Sequence, residues 1–562
     1  MNNFIQASEI KERIRKGQAI VIYRGHALRL DKWIKFHPGG DKAIHHMIGR
    51  DATDEMNAYH CDETVAGFLK WKIGKIDGDW VNCLPPIQGG TYAAKDENDS
   101  SESSHKKDVS EAVTGPKMCG EPAVKVVPKM PEGLVPSLNM TQAFEQHIVV
   151  DRALSHADRY DDALVRRDLE SLPNLDPATQ HWLSQEYNEM HQKVINAGLY
   201  QCDYTRYFKE ATRIALLFGL SLYLLFAHKR WFWSAVCMGA AWQQLVFIAH
   251  DAGHISITHN YQVDNIIGMV VASWIGGLSL GWWKRNHNVH HLVTNDPVHD
   301  PDIQHLPFFA VSTRLFTDVY STYYERFLWF DKLARKTIPL QRFLYYPILS
   351  FGRFNLYRLS WMHVLLGQGP RRGSAAWFRY FELAGLAFFN YWFFYSVCGC
   401  GLSTTRERVQ YVLVSHIVTM VVHVQITLSH FAMSTSDLGV AEGFAMRQLR
   451  TSMDVDCPRW LDFFHGGLQF QVVHHLFPRL PRHNLRAAQP FVIEFCKKVG
   501  LKYSIYGFSK GNEVVLSKLE EIAQQAKTML DCAKTMERDA HTAASTKTPE
   551  RQNWVQTHRR LN

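Results

Sequence analysis

Apolar and polar positions divide the chain into distinct regimes. Up to about residue 80 they alternate over short distances. QAIVIYRG carries the β-branched enrichment of a strand, and DKAIHHMIG reads as a short helix. From about 84 to 135 the pattern stops. AAKDENDSSESSHKKDVSEAVTGPK contains no aromatic residue, too little apolar surface to offset the entropy of ordering, and reads as a disordered linker. Residues 139–200 regain helical character, with Asp176 and Pro177 placed as N-cap and first helical residue of a run through His191. Long apolar runs follow at 211–228, 231–250, 263–283, 377–398 and 408–430, each about one bilayer thick as a helix. The interval 301–370 is aromatic-rich and studded with Arg and Lys, which suits helices lying at an interface. From about 513 the pattern is a polar helix and a tail. The expected division is 1–80, linker 81–138, helical segment 139–205, membrane domain 206–510 and C-terminal helix with tail 511–562.

Composition changes this picture little. The mean hydropathy of −0.21 looks soluble because polar ends average out the apolar runs. One apolar run could be a core helix, but two pairs joined by short links indicate a polytopic membrane protein. The net charge of +8 suits an anionic membrane face, and nucleic acid is not an expected partner. Ten cysteines contain no CxxC pair, which argues against zinc-ribbon and redox-disulfide chemistry and fits reduced, cytosol-facing domains. The start MNNFIQASEIKERIRKG has no apolar core of a cleaved signal peptide. Lys229, Arg230, Arg406 and Arg408 sit in the hairpin links. Arg206, Lys209, Arg213, Lys284, Arg285, Arg371 and Arg372 lie on the other side, which the charge bias makes cytosolic.

Histidine supplies the candidate chemistry. His37-Pro38-Gly39-Gly40 holds an imidazole at a turn, which alone reads as a surface loop. His45 and His46 follow on the helix leaving that turn and would share its wall, whereas His60 comes after a second helix and can face back. The whole pattern HPGGDKAI…GRDATDEMNAYH resembles the cytochrome b5-like haem-binding domain over roughly residues 5–78. The resemblance implies haem b with axial ligands at His37 and His60, and a one-electron carrier with no open site for oxygen.

Further on, His250 and His254 stand at i and i+4, and His287, His290 and His291 at i, i+3 and i+4. His430 ends the last apolar run, and His474 and His475 follow Gln471 at the same spacing as the second group. One histidine at a helix end is commonly a cap, but eight at ligand spacings imply metal, and more than one ion. If 211–228 and 231–250 form one hairpin and 377–398 and 408–430 another, 263–283 cannot cross without stranding HNVHH on the wrong side. It is expected to lie flat or re-enter, leaving four spans. Asp251 and Asp296 are candidates to orient imidazole N–H groups. His423 is expected to pack or hydrogen-bond, and His465 and His483 to support box three.

HxxxH, HxxHH and QxxHH beside a b5-like domain resemble the front-end class of membrane fatty acyl and sphingolipid desaturases. The run from LSHFAMSTSDLG to FQVVHHLFPRLPRHNLR is similar to the fungal Δ8 sphingolipid desaturases. The resemblance implies an all-α polytopic membrane domain of four helices in two hairpins plus interfacial helices, with a small α+β haem domain. It implies two non-haem irons, O2 as co-substrate, a ceramide or long-chain-base substrate, an NADH-cytochrome b5 reductase as electron donor, and an endoplasmic reticulum location with boxes and termini cytosolic. No GxGxxG follows a strand, so the reductase is a separate chain. Spacing leaves desaturation and hydroxylation, and acyl chain and sphingoid base, as open pairs. It also leaves Gln471 as either a weak oxygen ligand or a hydrogen-bond partner of bound water.

Overall fold

The computed structural model describes residues 4–90 and 140–546. Of the linker expected at 81–138, residues 91–138 lie outside the described residues, as does the tail from 547, whereas Pro86–Gln88 form a 3-10 turn and Asn82 donates to the Val440 carbonyl at 3.2 Å. The N-terminal domain is α+β. Strands Phe4–Gln6, Lys72–Asp77, His26–Arg29 and Ile20–Tyr23 form one sheet in that spatial order. Tyr23 pairs with His26 across Arg24 and Gly25, both at positive φ, the geometry that matches a two-residue hairpin to strand twist. Helices Asp41–His45, Thr53–Tyr59 and Asp62–Phe68 cover a core of Ile10, Ile20, Ile22, Leu28 and Ile48.

Asp176 caps helix Pro177–Asn196 by accepting from the Thr179 amide at 3.0 Å, with Pro177 at its first position as expected. Trp231–Gly253, Gly373–Cys400 and Thr405–Leu428 are long and apolar enough to cross a membrane. Tyr204–Phe226 has the length, but Arg206, Lys209, Glu210 and Arg213 occupy its first half, so the span expected at 211–228 is not among the three. Tyr261–Ile275 and Leu280–Leu292 form a further apolar pair bent by 117°, and count as a fourth span only if taken together.

That bend is built by polar groups. The Ser279 hydroxyl oxygen accepts from the Trp282 amide at 3.0 Å, capping the second helix. The buried Glu382 carboxylate, from helix Phe378–Phe389, accepts from the Ser279 hydroxyl at 3.1 Å and the Gly281 amide at 3.0 Å. Gly277 sits at φ +72°, where a Cβ would lie 2.3 Å from the Phe389 ring.

Within 301–370 the outcome differs in part. Val319–Ser321 pairs with Arg326–Leu328 as a hairpin, with the Tyr320 and Phe327 rings paired across the strands at 5.3 Å. Helices Gln341–Leu349 and Gly352–Leu366 follow. The C-terminal helix Phe508–Thr546 is not uniformly polar: Val515, Leu519, Ile522, Ala526 and Met529 form a buried stripe at helical spacing.

Candidate functional site

Two sites face each other across the contact between the domains. In the first, the His37 and His60 rings oppose one another with centroids 6.1 Å apart, room for a single metal ion between them. His37 Nδ1 lies 2.8 Å from the Gly40 carbonyl and His60 Nδ1 3.2 Å from the Met56 carbonyl, so each ring donates through Nδ1 and keeps Nε2 as its lone-pair atom. Burial holds His60 at about 3 and pulls His37 below its ordinary value, which keeps both rings neutral, the form that binds metal. Phe68 packs edge-on against His60 at 5.1 Å, and Ile34 lines the cavity beside His37. These residues fit a bis-imidazole haem. Neither His45 nor His46 joins the pair: His46 packs instead on His299 and on Gln88.

In the second site, His250, His254, His287 and His474 bring one ligand atom each to within 4.8 Å of the others. His290, His430 and His475 form a second such group. The first draws on helix Trp231–Gly253 and its C-cap, the box-two helix Leu280–Leu292, and helix Gln471–Leu476. The second draws on the box-two helix, the turn after Met420–Leu428, and Gln471–Leu476.

Outer partners fix these rings. The Asp300 carboxylate accepts from His290 Nδ1 at 2.8 Å, the Thr451 carbonyl from His430 Nδ1 at 3.2 Å, and Gln448 Oε1 from His475 Nδ1 at 2.9 Å. Each of those rings therefore presents Nε2 inward. The Nε2 atoms of His250, His254, His474 and His475 are buried without hydrogen-bond partners. Buried nitrogens left unpaired at this density are costly, and a bound cation removes the cost. The donor set, all imidazole with flanking carboxylates, suits iron. His291 stands between the groups: its ring stacks on His475 at 4.1 Å and its Nε2 lies 3.0 Å from His287 Nε2.

Gln471 is buried at the start of its helix, on the face of His474 and His475. That helix is tied down by Asp454, whose Oδ1 accepts from the Val472 amide at 2.8 Å, and burial pushes this carboxyl up to about 7.

Of the two carboxylates expected to orient imidazoles, one is corrected. Asp296 does not orient a box imidazole; it caps its own turn, accepting from the Val298 amide at 2.9 Å and the His299 amide at 3.2 Å. Asp300 fills that role, and Asp302 Oδ2 lies 3.5 Å from His287 Nδ1. The signal was the acidic run NDPVHDPDI just after box two, where an N-terminal Asx turn claims the first aspartate. Asp251 does approach His250, 3.5 Å from its Nδ1, but its other oxygen is held by Tyr207 and Arg482. Arg482 also pairs with Glu210, a buried cluster that the apolar pattern concealed. His423 lies against Gly352, away from both groups. His465 bonds Gln425 at 3.1 Å, and His483 packs on Tyr207 at 4.8 Å.

The haem domain sits directly over box two. Asn288 donates to the Gly39 carbonyl at 3.0 Å, and the Tyr59 ring meets the His291 ring edge-on at 6.1 Å. Asp54 accepts from Ser184 at 2.9 Å and Asn188 at 2.8 Å, while Lys42 reaches the Thr322 carbonyl at 3.0 Å and Glu325. Arg50 donates to the Glu442 carbonyl at 3.2 Å.

A bis-imidazole slot docked on buried imidazole groups, themselves framed by apolar helices, defines a membrane oxidoreductase with its own electron carrier. A fatty acid desaturase model matches residues 229–507, and a cytochrome b5-like heme/steroid binding domain model matches residues 6–77. A Delta 8-(E)-sphingolipid desaturase of Lachancea kluyveri is 70% identical over 550 residues, 96% of this chain and 97% of that protein. One of the same description from Emericella nidulans is 50% identical, covering 94% and 95%. An acyl-lipid (9-3)-desaturase of Borago officinalis is 29% identical over 94% of this chain and 95% of its own length. The chain belongs to the membrane-embedded fatty acid desaturase family, in its cytochrome b5-fused branch. Membership implies that the chain uses haem and iron.

Proposed function

We propose that the protein introduces the Δ8 double bond into the long-chain base of a sphingolipid, ceramide or free base. A –CH2–CH2– segment, O2, two electrons and two protons become –CH=CH– and two waters. The observation carrying this reading is the pair of imidazole groups, His250/His254/His287/His474 and His290/His430/His475, buried beneath a docked haem domain. The relatives that match nearly the whole chain supply the substrate class.

His37 and His60 would hold the haem, and the two groups, with His291 and Gln471 beside them, two irons. Bound there, iron supplies O2 activation and hydrogen abstraction from an unactivated methylene. The chain's contribution is to fix tautomers through Asp300, Thr451 and Gln448, to exclude water by burial, and to hold His287 and His290 on a capped helix. A separate NADH-cytochrome b5 reductase would recharge the haem.

In this reading Tyr204–Phe226 with Trp231–Gly253, and Gly373–Cys400 with Thr405–Leu428, are two membrane hairpins. The bent pair re-enters, which places every box at one cytosolic face of the endoplasmic reticulum membrane. The haem domain then spans 1–80, the linker 81–138, the helical segment 139–205, the membrane domain 206–510 and the C-terminal segment 511–562.

Expression in a yeast lacking unsaturated long-chain bases, followed by lipid mass spectrometry, tests the proposal. The expected product is a monounsaturated base, abolished by His474→Ala while the haem spectrum stays. Unsaturated acyl chains would support the front-end acyl reading, and a hydroxylated base the hydroxylase reading.

A further inference from the structure

Both haem ligands lead by short connections onto the same element of the iron site. From His60 the path runs to its chain neighbour Tyr59, whose ring meets His291 edge-on at 6.1 Å. From His37 it runs two residues to the Gly39 carbonyl, which accepts from the Asn288 side chain at 3.0 Å. Asn288 is the chain neighbour of His287. Both paths end on the box-two helix. The second contact tolerates no bulk: a Cβ on Gly39 would lie 2.9 Å from the His37 ring and 3.1 Å from Asn288 Nδ2.

Tyr59 is a poor choice if filling space were its whole task. Its hydroxyl oxygen is buried without a hydrogen-bond partner, and its ring touches Phe444 at 6.5 Å as well as His291. An aliphatic side chain would pack there without an orphaned hydroxyl. What an aliphatic residue lacks is a π-system set against the His291 imidazole on the residue next to His60.

We infer that the box-two helix Leu280–Leu292 is the electron entry of the iron site, with Tyr59 as the positioning residue whose aromatic ring couples His60 to His291 and Asn288–Gly39 as a second bridge. The inference rests on the desaturase reading above. In each transfer the haem iron passes from ferrous to ferric and one iron of the pair from ferric to ferrous. No bond forms or breaks, and Tyr59 is unchanged. Two transfers serve each double bond, the haem being reduced again between them.

The test uses the full-length holoenzyme in lipid nanodiscs, its haem reduced beforehand, mixed with O2 and ceramide while haem absorbance is followed. Tyr59→Leu is expected to slow haem reoxidation severalfold, with the reduced and oxidised haem spectra and the haem midpoint potential unchanged. Tyr59→Phe is expected to reoxidise like the parent, since the ring is kept. Asn288→Ala is expected to slow it less, and the double variant Tyr59→Leu/Asn288→Ala most. Lys42→Ala removes a docking contact made to Thr322 and Glu325 rather than to the box-two helix, and separates docking from coupling. Equal slowing in Lys42→Ala and Tyr59→Leu would overturn the inference, as would a Tyr59→Leu rate equal to the parent's. Tyr59→Phe slowing as much as Tyr59→Leu would also overturn it by assigning the effect to the hydroxyl. If the parent's haem is never reoxidised on mixing, the desaturase reading itself fails.

Discussion

Replacing Asp300 by Asn keeps its shape and removes its charge. Oδ2 accepts from His290 Nδ1 at 2.8 Å and from the Asn295 amide at 2.7 Å, while Oδ1 accepts from the Asp302 amide at 2.8 Å. Every contact therefore needs an acceptor, and asparagine has one oxygen. Turned one way, its NH2 faces the Asp302 amide; turned the other, it faces two donors and drives His290 to the tautomer that carries hydrogen on the inward nitrogen. The better choice leaves one fully buried donor unpaired, about 1–3 kcal/mol. It also withdraws the carboxylate that makes His290 a stronger ligand, for which such changes cost about 10–100-fold in metal affinity or activity. Asp300 further holds Asn295, whose side chain donates to the His430 carbonyl at 2.9 Å, so two of the three rings in that group are affected. Purified Asp300→Asn, titrated with a chelator while iron is counted per haem, is expected to lose iron at lower chelator concentration and to form less unsaturated base. The haem, bound in another domain, is the internal control. Iron retention and turnover equal to the parent's would refute the reasoning.

Other outcomes follow from the same geometry. Gly277→Ala must place a Cβ against Phe389 at φ +72°, a left-handed cost of about 1–2 kcal/mol plus an overpacking cost of about 1–3 kcal/mol; iron per haem should fall, and Phe389→Leu in the same chain should restore part of it. Burial raises Asp54 from 3.8 to about 6 and Glu55 from 4.5 to about 7 where the haem domain docks. The docked state thus binds protons that the free state releases, so docking strengthens as pH falls from about 7 towards 4 and weakens as it rises. Cross-linking of the two domains across that range should follow this slope, and Asp54→Asn should flatten it. Gln471→His is expected to retain both iron and product; lost product at unchanged iron would assign Gln471 to the substrate channel or a water network.

Much of this was legible in the residues. Box spacings are local, and an i, i+3, i+4 pattern puts imidazoles on one helix face whatever the fold does, so His287, His290 and His291 could be read directly. Asp176 capping its helix was equally local. Contacts set by tertiary structure were harder. Asp300 and Asp296 stand four apart in one acidic loop, and only the path of the chain decides which meets His290. Glu382, Arg482 and Glu210 carry no local mark of burial, yet they hold the bend and the box-one helix end. The docking of Tyr59 on His291 joins segments 232 residues apart, which no periodicity encodes.

That separation has a consequence for how the protein is made. The haem slot is complete within the first 77 residues, and every strand and helix of its fold lies inside that span. The iron groups draw on residues from 250 to 475, and the bend that carries box two leans on Glu382 and Phe389 of a later helix. Long-range closures of this kind come late in folding. A nascent or half-inserted chain therefore gains its haem fold first and has no assembled iron site. Iron content relative to haem reads out biogenesis, counting the fraction of chains whose membrane assembly has reached its end.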